Sequence, residues 1–398
     1  MAKIYFDYAA TTPVDPKVLK AMSPYLKKEF GNPSSIHGFG QKALGAVDEA
    51  REKVANFLGC DAAEIVFTGS ATEANNLAIF GLAEKGDHII TSKIEHHAIL
   101  EPCQALEKRG VEVTYLPVTK EGLVESAEVK KAIKPNTVLV SVMYANNEIG
   151  TIQPIAEIGQ LLKKIKSSNM PTVRTQRTFE HSNIYFHTDA VQAVNYLDCN
   201  VENLGVDLLT ISSHKIYGPK GVGALFVKRG TPLKPLIYGG GQEKGLRSGT
   251  ENVAGIVGLG QAIEEIQNPK LKIQNIRIKQ LRDKIIKRIL KTIPDSRLNG
   301  SPRLRLPNNV NISFKGVEGE ALVIALDQKG IAVSTGSACS SKTLEPSYAL
   351  LALGLSHEQA HGSLRITLGR YTTEQEVEKF LKILPPVVKK LREISGYK

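Results

Sequence analysis

The chain has 398 residues, with 51 Lys+Arg against 40 Asp+Glu and a formal net charge of +11. Its 42% hydrophobic and 23% charged residues exclude the disordered and fibrous classes. No apolar run approaches the ~18 residues of a membrane span, and MAKIYFDYAATT lacks the charged and long apolar regions of a secretory signal. The charge is concentrated: between Lys270 and Arg305 twelve basic residues face two acidic ones, Asp283 and Asp295, so this segment carries +10. Any nucleic-acid argument from net charge is an argument about that segment. Cys60, Cys103, Cys199 and Cys339 form no CxxC pair and are too few for a disulfide scaffold. The expectation is a cytoplasmic α/β protein of a reducing compartment.

In chain order, strand-like runs occur at 64–69, 87–92, 111–117, 137–143, 183–189, 207–213 and 223–228. Helical patterns lie between the earlier ones, and Gly86 and Gly110 read as their C-terminal caps. Such alternation implies a mainly parallel sheet covered on both faces. After Thr250 the pattern changes to long helices over 252–266 and 270–293, so a smaller α/β domain is expected to begin near residue 265. The polar, aperiodic stretch 167–183 reads as a surface loop or insertion.

Several motifs suggest chemistry. HEQAH (357–361) matches the HExxH zinc pattern, but Gly362 and the strand-like SLRITLG leave about one helical turn and no third ligand. Ser356 and Gln359 form a capping box there. GSATEANN (69–76) follows a strand and opens a helix, so its N–H groups could hold a phosphate. SSHKIYGPKG places Lys215 after an apolar strand; such a lysine is commonly solvated, but buried it could form a Schiff base. HTDAVQ ends a strand on Asp189, a possible charge partner. TGSACSSKT sets Cys339 among small residues, the best of the four cysteines for a reactive thiol. Arg365, inside a strand pattern, calls for a partner such as a carboxylate.

These residues point to a cofactor enzyme without naming one. YFDYAATTPVDP, FTGSATEANN, EHHAIL, ANNEIGTIQPI, FHTDAVQA, SSHKIYGPKG, GGGQEKGLRSGT, STGSACSS and SLRITLGR, in that order, resemble the NifS/IscS-like cysteine desulfurases. These are pyridoxal-phosphate enzymes of the class V aminotransferase family, fold type I. The resemblance implies a large cofactor domain over 13–264 and a small domain made of 1–12 and 265–398. It also implies that Lys215 binds pyridoxal phosphate covalently and moves the substrate's Cα proton, while Asp189 pairs with the pyridine nitrogen. His96 would stack on the ring and take part in proton transfer. Asn147 and Gln192 would bond near the ring oxygen, with Asn147 also reaching the substrate. Ala71, Thr72, Ser212 and His214 would hold the phosphate, with Thr250 entering from a second subunit. Arg365 would clamp the substrate carboxylate. Cys339 would take the sulfur as a persulfide, and could transiently ligate an iron–sulfur cluster; no resident metal is implied.

The implied partners are L-cysteine, a second copy of the chain, and an iron–sulfur scaffold, tRNA-thiolation protein or other sulfur acceptor, with no membrane. A selenocysteine lyase or related pyridoxal-phosphate enzyme is the alternative within the class, and a basic nucleic-acid-binding module the alternative outside it. Asn147 and Asp189 lie 42 residues apart, more than the family pattern leads one to expect, because of the 167–183 stretch. In the basic segment Ile278, Leu281, Ile285 and Ile289 recur at helical spacing, with Ile286, Leu290 and Ile293 broadening the stripe. The lysines and arginines between them read as a solvated face, or as a dock for an acidic scaffold or tRNA.

Overall fold

The computed structural model describes residues 3–167, 184–336 and 345–397. The chain opens with a short strand, β1 (Ile4–Tyr5), and then builds a seven-stranded sheet. Its strands are β2 (Ile65–Thr68), β3 (His88–Ser92), β4 (Glu112–Leu116), β5 (Thr137–Ser141), β6 (Tyr185–Asp189), β7 (Leu208–Ser212) and β8 (Gly223–Val227), in the order β2-β8-β7-β6-β5-β3-β4. Each lies within one of the seven expected runs. Strands β4, β3, β5, β6 and β7 are parallel, while β8 runs antiparallel to both β7 and β2. These parallel strands therefore end along one edge, where open α/β sheets assemble ligand sites.

Alternation along each strand builds two cores. Ile65 and Phe67 pack with Val140, Phe186 and Leu209 under the helices Gly38–Leu58 and Val253–Ile266. The intervening Val66, Ile89, Leu139 and Leu208 face the helices Ala71–Leu82 and His97–Glu107. Burial on both faces is what a parallel sheet requires.

Those last two helices end at Leu82 and Glu107, short of the glycines expected to cap them. Gly86 and Gly110 instead occupy left-handed turns at φ 93° and 88°, joined by a 2.9 Å Gly86 N–H to Gly110 carbonyl bond. The glycine signal therefore marks the turn into the next strand and not the helix terminus.

A further hydrophobic core lies around an antiparallel sheet of β9 (Ser296–Leu298), β10 (Asn309–Phe314) and β12 (Ser363–Thr367), in the order β12-β10-β9. Strand β1 pairs in parallel with β11 (Ile331–Ala332), so Ile4 and Phe6 are buried in this core with residues from 278 to 388. The helix Pro269–Thr292 contributes Ile278, Leu281, Ile285, Ile289 and Ile293, as the periodicity predicts. Two expectations for this segment are corrected. Leu290 is exposed, because it falls outside the buried arc of the helix. Arg282 and Arg305 are buried and not solvated: Arg282 Nη1 donates to the carbonyls of Arg305 and Leu306, and Arg305 binds the Asn299 and Ser301 carbonyls. The HEQAH segment forms a five-residue helix, His357–His361, with the Ser356–Gln359 capping box, and passes at once into β12. No described helix is long and apolar enough to cross a membrane.

Candidate active site

Ten of the site residues named from sequence line one cavity of about 310 Å³: Ala71, Thr72, His96, Asn147, Asp189, Gln192, Ser212, His214, Lys215 and Arg365. They come from the ends of β6 and β7, from the segments that follow β2, β3, β5, β6 and β7, and from β12, so the sheet edge and the second core jointly wall the site. Thr250 is exposed and does not line this cavity. Cys339, with the rest of 337–344, lies outside the described residues, as does nearly all of the 167–183 stretch.

At one end of the cavity the helix Ala71–Leu82 begins. Ser70 caps it, its Oγ accepting from Glu73 N–H at 3.1 Å, and the N-terminal turn opens toward the cavity through Ser70, Ala71 and Thr72. Such a terminus favours an anion. Gly223 permits this approach, because a Cβ there would lie 2.9 Å from the Ser70 carbonyl carbon and from the Ile211 oxygen. His214 Nδ1 lies 3.2 Å from Thr11 Oγ1, and burial lowers its imidazole to about 4, so it is neutral.

Lys215 follows the end of β7, and its Nζ donates to the carbonyls of Ala9 and Ala10 at 2.6 and 2.7 Å. Two residues on, Tyr217 adopts a left-handed φ of 68°, rare for a bulky side chain. Several contacts over-determine it. Its N–H donates to Thr12 Oγ1 at 2.8 Å, its carbonyl accepts from Asp15 N–H at 2.8 Å, and the Arg370 guanidinium stacks 3.6 Å from its ring centroid. Asp15 completes the clamp by accepting from Arg370 Nη1 at 2.8 Å.

Asp189 ends β6 and is 7% exposed. Its carboxylate accepts from Asn75 Nδ2 at 2.7 Å and from Val191 N–H at 3.0 Å, which fixes its direction into the cavity. His96 caps the helix His97–Glu107, its Nδ1 accepting from Ala98 N–H at 3.1 Å. That bond leaves the proton of the neutral ring on Nε2. Burial lowers the His96 pKa, opposed by the charge of Asp189. Gln192 Nε2 donates to the Ala9 carbonyl at 3.1 Å.

Arg365 is buried on β12 and finds the carboxylate its position calls for in Asp7, 2.8 Å from Nη2. Its Nη1 donates to the Asn147 carbonyl at 3.1 Å, while Arg365 Nε and Asn147 Oδ1 are buried without a hydrogen-bond partner among the described residues. Two buried acids complete the surroundings. Glu95 accepts from Ser92 Oγ at 2.6 Å and Met143 N–H at 2.9 Å, and burial pushes it to about 8. Glu148 lines the cavity, accepts from Ser347 Oγ at 2.5 Å, and is raised by burial to about 7.

Asp7, Asn75, Glu95, Glu148 and the Ala9 and Ala10 carbonyls carry no site role in the sequence reading. Asn75 had a signal, since it lies three residues beyond Thr72 on the same helix. Glu148 stands beside Asn147, but a loop glutamate reads as surface until its burial is seen. Carbonyl contacts have no side-chain signature at all.

The strand order and cavity define a class of protein: the chain belongs to the aminotransferase class-V family, which matches residues 4–380. It is 52% identical over 401 aligned residues to the cysteine desulfurase IscS of Dictyoglomus turgidum, covering 100% of this chain and 97% of that one. A solved NifS-like protein superposes with a TM-score of 0.85 at 37% identity, covering 100% of both chains. SspA, solved in complex with cysteine, matches with a TM-score of 0.78 at 40% identity, over 93% of this chain and 100% of that one.

Proposed function

We propose that this chain is a pyridoxal-phosphate-dependent cysteine desulfurase that moves the sulfur of L-cysteine onto the Cys339 thiol, giving a persulfide and L-alanine. The persulfide then serves acceptors in iron–sulfur cluster assembly or tRNA thiolation. The observation that carries this reading is the convergence of Lys215, Asp189, His96 and Arg365 on the cavity at the helix Ala71–Leu82 terminus.

The residues present fit the cofactor. Asn147 lines the cavity with its buried Oδ1 unpartnered among the described residues, the helix terminus favours an anion, and Asp189 is oriented by two donors. Thr72, Ser212 and His214 would hold the phosphate, Asp189 the pyridine nitrogen, and Lys215 the aldehyde carbon. When bound, pyridoxal phosphate supplies an electron sink that weakens bonds to the substrate's α- and β-carbons. Lys215 Nζ takes the Cα proton from beside the Ala9 and Ala10 carbonyls. His96, neutral with its proton on Nε2, offers a donor on the cavity side. Arg365, anchored by Asp7, binds the substrate carboxylate and sets which bonds align with the reacting groups.

The same reading divides the chain into a large domain over 13–264 and a small domain of 1–12 with 265–398, supported by the separate core that gathers Ile4 and Phe6. It makes the enzyme a homodimer of the cytoplasm. Support for the dimer is that the large apolar side chains of Phe30 (72%), Ile36 (94%) and Tyr238 (81%) are left exposed and could be covered by a second subunit.

The test is an absorption spectrum before and after L-cysteine. The purified protein is expected to show a visible chromophore that changes on addition of cysteine and is absent in Lys215→Ala. Cys339→Ser is expected to keep the colour and lose sulfide release. Wild-type sulfide release from that variant with an acceptor present would refute the assignment of the nucleophile.

A further inference from the structure

The position of Glu148 bears on which amino acids the cavity admits, and the argument rests on the cysteine desulfurase reading. Glu148 is 2% exposed and shares the cavity wall with Arg365. Its carboxyl fills the space between two stretches that bracket residue 339 in sequence: Ser347 Oγ donates to it at 2.5 Å, and a Cβ on Gly336 would lie 2.7 Å from Oε2. The main chain holds it there. Glu148 N–H donates to Asn146 Oδ1 at 2.9 Å, and its carbonyl accepts from Asn309 and Asn311 side chains at 3.1 and 3.2 Å.

No described cation forms an ion pair with this carboxyl; Arg365 attracts it, but pairs at 2.8 Å with Asp7. An amino acid whose α-carboxylate rests on Arg365 brings its side chain into the same small cavity. A thiol or methyl group there is neutral. A carboxylate or sulfinate is a second anion beside a buried acid, where poor screening makes like charges costly. We propose that Glu148 is a specificity-determining residue that rejects amino acids with anionic side chains, of which aspartate and cysteine sulfinate are the nearest in size to cysteine. This is discrimination by a repulsive element.

Of the charged groups around it, Arg365 is the one whose charge acts on Glu148, with Asp7 paired behind it; Asp189, His96, His97, His214, Lys215 and Tyr348 are the other titratable side chains of the same cavity wall. Burial raises Glu148 to about 7, so its charge, and with it the rejection, fades as pH falls through that value.

The experiment compares L-aspartate with L-alanine on the holoenzyme. It uses inhibition constants against L-cysteine turnover and calorimetric dissociation constants, for wild type, Glu148→Gln and Glu148→Asp, between about pH 5.5 and 8. Glu148→Gln keeps an acceptor for Ser347 and removes the charge. It is expected to tighten aspartate relative to alanine by ~10-fold or more at the alkaline end, whereas Glu148→Asp is not. Wild type should move in the same direction as pH falls through about 7, and Glu148→Gln should not. An aspartate-to-alanine ratio in Glu148→Gln within ~2-fold of wild type overturns the proposal. So does a pH dependence of that ratio undiminished in Glu148→Gln, which would assign it to another titratable group of the cavity. Thermal melting and the visible chromophore report whether the variants fold and load. A wild type that binds alanine but releases no sulfide from cysteine refutes the activity, and leaves the aspartate comparison readable by calorimetry.

Discussion

Arg365 illustrates how single side chains set the chemistry. Its guanidinium bonds Asp7 and the Asn147 carbonyl, so the charge is held at the cavity wall with Nε unpartnered among the described residues. Lysine cannot reproduce that planar fork. Arg365→Lys is therefore expected to raise KM for cysteine by ~10- to 100-fold, the value of one or two charge-assisted bonds, with kcat changing less; steady-state kinetics check this. Glu95 carries the second prediction at this scale. Its folded pKa is raised by burial from 4.5 to about 8, so it favours folding below its unfolded pKa and that contribution is lost as pH rises through about 8. Melting curves should show Glu95→Gln gaining on wild type between about pH 5 and 9. The cysteines separate at the same scale. Burial pushes Cys60 and Cys103 up to about 12 and raises Cys199 as well, so none of the three is a thiolate at neutral pH. This agrees with the sequence preference for Cys339 as the best of the four for a reactive thiol, since free cysteines commonly behave as small buried hydrophobes.

Among elements, the turn after β2 and the strand β8 depend on each other. Gly223 lets β8 run against the start of the helix Ala71–Leu82, and any side chain there meets main-chain atoms at 2.9–3.0 Å. Backbone cannot yield as a flexible side chain can. Gly223→Ala is expected to cost about 1–3 kcal/mol, the usual range for overpacking, and to weaken retention of the cofactor by displacing the helix terminus. Denaturant titration and cofactor content after dialysis measure the two effects. All seven strands of the large sheet were legible because short apolar runs alternated with amphipathic segments. Their order was not: β8 sits between β2 and β7, antiparallel to both, and no local pattern encodes its direction. The glycines at 86 and 110 show the same limit, since a left-handed turn and a helix cap share one residue signal.

For the whole molecule, the cavity exists only where the two cores meet. The Arg370 clamp on Tyr217 and Asp15 and the Arg365 pair with Asp7 both join residues more than 150 positions apart. The exposed Phe30, Ile36 and Tyr238 extend the dependence to a second subunit under the proposed dimer. Ile36→Glu is expected to shift sedimentation from dimer to monomer and to lower activity along with it, because Thr250 would no longer reach a partner's site. A monomeric variant with full activity would contradict that role for Thr250. The basic segment that dominates the net charge also divides at this scale. Its isoleucines and two of its arginines are internal, so fewer charges face solvent than the composition suggests.

By itself the sequence determined the strands, the amphipathic helices and the family resemblance, which follow from periodicity and local motifs, and through that resemblance it pointed to ten side chains of the cavity. Tertiary structure alone decided that Asp7 partners Arg365, that Asn75 orients Asp189, that main-chain carbonyls hold Lys215, and that Glu148 is buried in the cavity wall. Each of these depends on which distant surfaces exclude water together, and desolvation is a property of the packed chain that no stretch of residues carries alone.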